Sequence, residues 1–303
     1  MDTTVVVSRL VQYAAVSAVG GSSLFFLYGY RPEPGVRWPA RLVAVGAILG
    51  VAGAVGWLMT QAAALGDAPG DAWIPVKVWA VAADTGFGRA ALVRIGLLAL
   101  ALGAATLKPR VPPLRALAGL GLAAAASFAW TGHGSADDGL AGYAHLTADV
   151  VHSGAAAIWI GALFGLVILL ARARRARMDL AAENEAAALA AFSRIGPLVV
   201  GALVLSGLGN GGFMVGLSGV PTLAHTLYGQ LLILKLVLFA LMLGLAAANR
   251  YVLTPRLERA TASGQAGSAE RLARLSLLTE TALALGVLIL VSWLGTLSPT
   301  GEM

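Results

Sequence analysis

Eight predominantly apolar stretches, each about 20 residues or longer, follow one another along this chain, at about 4–28, 41–65, 88–107, 113–131, 143–171, 188–214, 224–249 and 273–297. A stretch of that length crosses the hydrocarbon core of a bilayer as a helix, because lipid offers no partner to an open backbone N–H or C=O. The connectors are short, so no soluble domain is left over. The sequence therefore predicts an all-α fold, a polytopic membrane bundle of about eight transmembrane helices forming one integral-membrane domain over residues 1–303. Composition agrees: 58% of residues are apolar and 12% charged, and the mean hydropathy is +0.81. The first stretch carries Arg9 and Gln12 and lacks a strongly basic start or a clear small-residue cleavage site, so it reads as a retained span rather than a signal peptide.

Basic residues beside span ends are held on the cytoplasmic side. Arg31, Arg37 and Arg41 mark the first connector, and Lys108, Arg110 and Arg115 the third. Arg172, Arg174, Arg175 and Arg177 mark the fifth, and Arg250, Arg256, Arg259, Arg271 and Arg274 the seventh. Lys77, with Arg89 and Arg94 at the start of the third span, is the exception on the other side. Both termini are expected outside the cytoplasm, which puts His133, His145 and His225 at or near the extracytoplasmic face and His152 a turn or two deeper. The pI of about 10.1 follows from the inside connectors and points to topology control, not to nucleic acid. Without cysteine there are no disulfides, thiolate metal sites or dithiol redox chemistry.

The fifth stretch is the most unusual, since it opens with His145, Asp149 and His152. At about 100° per residue these three and Trp159 fall within roughly 80° of one another and form one stripe. Ionisable groups inside a span mark a functional site by default, because hydrocarbon gives them no hydrogen bonds. Elsewhere, Gly46–Gly56 and Ala118–Ala123 are small-residue runs suited to close helix packing. The long second connector, 66–88, carries Trp73 and Trp79, which suggests an amphipathic piece at the outer interface, able also to cap a site. The polar segment from Met178 extends the sixth helix, and 260–268 reads as a flexible turn.

Several motifs in order resemble the copper-resistance membrane protein family typified by CopD and PcoD, over most of the chain. They are Thr85-Gly-Phe-Gly88 before Arg94, Gly132-His133, and Ala148-Asp149-Val-Val-His152 leading to Trp159-Ile-Gly161. Phe192-Ser-Arg194, Leu205-Ser-Gly207, Thr226-Leu-Tyr228-Gly229 with Lys235, Asn249-Arg250 and Arg274-Leu-Ser with Glu280 complete the set. The resemblance implies a multi-pass protein of the bacterial inner membrane that takes up or delivers copper from the periplasm, beside a separate periplasmic CopC-like copper-binding protein.

With copper as cargo, imidazole and thioether suit Cu(I), and imidazole with oxygen suits Cu(II), so the oxidation state stays open. His152, His145 and His133 are the first candidate ligands, with Met59 and Met214 as possible extensions and Met242 and His225 behind them. His145 and His152 lie about 10.5 Å apart along one helix, too far for one ion, so they mark successive stations. Asp149 balances charge or orients an imidazole, and it is a candidate partner for Lys235 and Arg94 in a supporting polar cluster that includes Trp159. Arg194 is the better depth match for Glu280. No Walker loop, Ser-His-Asp set or His-Glu-x-x-His helix is present, so neither a nucleotide motor nor an enzyme is expected. Two other readings remain: a haem-bearing membrane redox protein, and a non-conducting copper-delivery or assembly partner. Direction of movement, driving force and oligomeric state are not fixed by the residues.

Overall fold

The computed structural model describes residues 3–33, 35–66, 69–107, 112–132, 139–176, 179–263 and 267–298, with 173–176, 179–185, 217, 218, 222, 261 and 262 described by backbone only. The described chain contains α1 (Thr3–Tyr28), α2 (Trp38–Leu65), the short α3 (Pro75–Asp84), α4 (Gly86–Leu107) and α5 (Leu114–Thr131). It continues through α6 (Gly139–Ala176), α7 (Asp179–Met214), α8 (Leu227–Ala260) and α9 (Gly267–Leu294). All except α3 are long and apolar enough to cross a membrane, which gives eight spans among the described residues. The expected bundle is therefore present; most span limits fall within a few residues of the hydropathy pattern, but α7 and α9 start earlier than the apolar stretches, at Asp179 and Gly267, and α8 runs on to Ala260.

Helix α1 sits centrally and packs on α2, α5, α6 and α9. At Ser17–Gly21 it widens into a π-turn, and at that point it meets two other backbones directly. A Cβ added at Gly20 would lie 2.7 Å from the Gly121 carbonyl carbon of α5, and one at Gly161 of α6 would lie 2.5 Å from the Gly21 carbonyl carbon. Between lipid-embedded helices no hydrophobic force drives association, so such close backbone contact is what gives dispersion its reach.

Helix starts explain two of the motifs. The Thr85 hydroxyl accepts from Gly88 N at 2.8 Å and the Thr226 hydroxyl from Gly229 N at 3.1 Å, satisfying open donors at the first turns of α4 and α8. Phe87, one residue inside α4, packs edge-on against Trp57 with centroids 4.6 Å apart. The amphipathic piece of the second connector is α3, whose Val81 and Ala82 pack with Leu58, Ala62 and Ala91. Trp73 and Trp79 stay 78% and 62% exposed, as interfacial indoles should. Lys77, the exception to the charge pattern, is tied to Asp71 at 2.7 Å.

The second half is looser. Helix α8 packs mainly on α9 and, through its C-terminal part, on α7, leaving Ile233, Leu234, Leu236 and Val237 exposed on an apolar face suited to lipid. The turn foreseen at 260–268 is partly helical, since a helix runs to Ala262 and α9 starts at Gly267. Residues 264–266 lie outside the described residues.

Candidate functional site

The polar stripe of α6 divides by depth. His145, Asp149 and His152 all turn toward α7. His145 is buried, 2% exposed, and its ring stacks on Phe213 with centroids 4.8 Å apart and planes 13° from parallel. Asp149 Oδ1 accepts from Asn210 Nδ2 at 2.6 Å. His152 Nδ1 lies 3.1 Å from Ser206 Oγ, and Gly207 leaves room beside the ring, where a Cβ would meet His152 Cε1 at 3.4 Å.

Ser206 Oγ also donates to the Ala202 carbonyl at 2.5 Å, which leaves its oxygen able to accept from His152 Nδ1–H. That pairing corresponds to the tautomer with the lone pair on Nε2. Lys235 of α8 acts electrostatically on both Asp149 and His152, so three helices contribute to this seam. A cleft of about 560 Å³ opens between α6 and α7, lined by Tyr143, Thr147, Val151, Leu205 and Ser206 among others. Ser206, which lines this cleft, also contacts His152.

Trp159 does not join this group. Its Nε1 donates to Glu280 Oε1 of α9 at 2.8 Å, and Asn249 Nδ2 of α8 donates to Glu280 Oε2 at 2.9 Å. Glu280 is fully buried, and its partners are these two neutral groups rather than Arg194, which is exposed. Arg94 also departs from expectation. Its Nη1 donates to Gln12 Oε1 at 2.8 Å and its Nε to Ser127 Oγ at 2.9 Å, while its guanidinium carbon lies 3.6 Å from the Phe128 ring centroid. Asp149 is not among its partners, because α4 packs on α2, α3 and α5 and has no face toward the α6–α7 seam. Gln12 in turn donates to the Gly53 carbonyl at 3.3 Å, so this second polar centre joins α1, α2, α4 and α5.

The other candidate ligands are not gathered at the seam. Met59 lines a separate cleft of about 360 Å³ beneath Trp73 and Trp79, which means that α3 covers Met59 and not the histidines. Met214 packs beside Tyr228, Leu231, Leu290 and Leu294, and Met242 is buried in the apolar core. His225 is exposed, and His133 lies outside the described residues. Among the described residues no three His, Cys, Asp or Glu side chains converge on one point. Sequence reasoning missed Ser206 and Asn210 as orienting groups. Their signal was a spacing of four residues on α7, which puts both on one face.

These features define a polytopic helical membrane protein that keeps its ionisable side chains at helix seams within the bilayer. The copper resistance protein D-like N-terminal domain family matches residues 1–143, and the copper resistance protein D family matches residues 186–294. Copper resistance protein D of Pseudomonas syringae pv. tomato is 35% identical over 311 residues, covering 99% of this chain and 98% of that protein. The chain belongs to the copper resistance protein D family. Inner membrane protein YebZ of Escherichia coli (strain K12) is 31% identical, covering 86% of this chain and 84% of its own length. Copper transport protein CutJ of Bacillus subtilis (strain 168) is 30% identical, covering 83% of this chain and 47% of the longer relative. No solved structure matches. The eight apolar helices and these relatives make the chain a multi-pass inner-membrane protein.

Proposed function

We propose that this protein carries copper across the inner membrane from the periplasmic side, loading it at the α6–α7 seam. The observation that supports the reading is the His152 imidazole with its Nδ1 3.1 Å from Ser206 Oγ, a contact that suits Nε2 to bind an ion when Nδ1 carries the proton. The arginine-rich connectors favour the orientation in which this half of α6 faces the periplasm. Copper in either oxidation state accepts imidazole, and Asp149 adds a hard oxygen that suits Cu(II).

His145 lies about 10.5 Å along the same helix and serves as a separate station nearer the surface. An ion passing from one to the other meets Asp149 between them, with Lys235 opposite to balance its charge when the path is empty. The methionines lie outside this seam and are given no part in it. A separate periplasmic copper-binding protein is the natural donor, consistent with the family and with relatives named for copper resistance and copper transport. In this reading the protein is a carrier and not an enzyme.

The test is elemental analysis of purified protein after equal copper exposure, wild type beside His145→Ala/His152→Ala, together with uptake into proteoliposomes. Near-stoichiometric copper in the wild type, lost with uptake in the variant, is expected. Equal copper in both proteins would overturn the assignment of the seam. Iron in place of copper would favour a haem-bearing redox protein.

A further inference from the structure

A carboxylate in the middle of a membrane helix normally has a cation beside it, and among the described residues Glu280 has none. It lies 13 residues after Gly267 and 14 before Leu294, about 20 Å from either end of α9 at 1.5 Å per residue. Its side chain is fully buried, and the groups that act on it are Trp159 and Asn249, both uncharged.

Among the described residues, the charged groups named here on the neighbouring helices lie away from Glu280, and none acts on it electrostatically. Arg9 of α1 lies against Gly295, 15 residues from Glu280 along α9, about 22 Å away, and bonds the Tyr13 hydroxyl of the same helix at 3.0 Å. On α8, Arg250 donates to the Ser193 carbonyl and Lys235 faces Asp149. His152 of α6 is seven residues from Trp159, about 10 Å along the helix, and Arg274 is six residues from Glu280, about 9 Å along α9. A lone ionised carboxylate at this depth is expensive, and adding a proton removes that cost.

The two partners suit a group that changes state. Trp159 can only donate, so it serves an oxygen that accepts in both forms. Asn249 can do either: its NH2 donates to the carboxylate, and after a half-turn of the amide its carbonyl accepts from the carboxyl O–H. A proton bound on Oε2 therefore keeps a hydrogen bond between Glu280 and Asn249. Asn249 also begins the π-turn Asn249–Leu253 of α8, and single π-turns within helices often mark functional positions. Trp159 joins the trio to α6, the helix that carries His145, Asp149 and His152.

We propose that Glu280 is a proton-binding site of the transport cycle, alternating between carboxylate and carboxylic acid as copper loads and leaves α6. Glu280 takes one proton on Oε2 and later releases the same proton to water, with no change of redox state. Arrival of a cation at His152 and Asp149 adds positive charge to the shared interior, which favours proton release from Glu280. The coupling to copper rests on the carrier reading above, whereas the protonation of Glu280 does not.

Difference infrared spectroscopy of the purified full-length protein, taken through a pH series, tests protonation alone. The expected result is a buried carboxylic-acid C=O band that fills as pH falls, vanishes in Glu280→Gln, returns displaced in Glu280→Asp, and shifts in Asn249→Leu, where the carboxyl O–H loses its acceptor. The absence of any Glu280-dependent band between acidic and alkaline pH would overturn the proposal. Coupling is read in proteoliposomes with an internal pH dye and added copper. Glu280→Gln is expected to bind copper as wild type does and to lose the copper-driven pH change. An equal pH change in both proteins would overturn the coupling. A wild type that binds no copper would instead reject the carrier reading and leave the infrared result to stand on its own.

Discussion

Gly161→Ala is a small change with a large expected effect. The added Cβ would lie 2.5 Å from the Gly21 carbonyl carbon and closer still to backbone atoms of Ser17 and Ser22, whereas ordinary contact begins at 3.4 Å. Backbone cannot swing aside as a side chain can, so α1 and α6 must part by about 1 Å over the turn where they cross, losing dispersion that falls steeply with distance. Overpacking of this kind costs about 1–3 kcal/mol, and each kcal/mol lowers a midpoint by about 2–4 °C in a domain of some 200 residues. Gly154→Ala is the matched control, since no atom lies within 4 Å of its added Cβ. It should be neutral or stabilise by up to about 1 kcal/mol through helix propensity. Thermal unfolding of both variants in the same detergent, followed by tryptophan fluorescence, makes the comparison. A Gly161→Ala protein as stable as Gly154→Ala would refute the argument that close backbone contact fastens the two helices.

Ser206→Ala frees the His152 ring without removing it, so copper affinity measured by competitive titration should fall about 10- to 100-fold, the usual effect of losing an orienting partner, with the fold intact by circular dichroism. Acidification should weaken copper binding in the wild type, because protons and metal compete for the imidazole lone pair, and titrations at several pH values check this. Gln12→Leu leaves the buried Arg94 Nη1 donor unpaired and should cost about 1–3 kcal/mol, read as a lowered midpoint in the same unfolding assay. Trp73 and Trp79 should be quenched by brominated lipids labelled near the headgroups more than by lipids labelled at the chain ends, a contrast that Trp73→Phe/Trp79→Phe should remove.

The spans were legible in the sequence because length and apolar composition alone decide them, and the stripe on α6 was legible because helical periodicity is rigid. Where the stripe leads was not. Trp159 lies 14 residues from His145, four turns deeper, where the neighbouring helix is α9 instead of α7. Angular position on one helix carries no information about which helix stands beside it at each depth. Charge matching misled for a related reason. Arg94 and Glu280 were matched with ions of opposite sign, yet the bonds both make are to amides, hydroxyls and indoles whose sequence signals are weak. Gln12 was visible as an odd polar residue in the first span, and its bond to Arg94 crosses 82 positions, a link that only the folded chain reveals. Met59 and Met214 lie away from the α6–α7 seam, in the cleft beneath Trp73 and Trp79 and beside Tyr228, a placement that sequence spacing alone does not give.

The central place of α1 has a bearing on how the protein is made. Its buried Ser8, Gln12 and Ser17 find company on helices that follow it, and its contact with α9 closes only when residues near Gly295 have been synthesised. At about 5–20 residues per second that interval is roughly 15–50 s. For that time Arg9, which ends beside Gly295, must wait at the translocon or in lipid without its last neighbour, which makes α1 a segment whose insertion needs the cell's help.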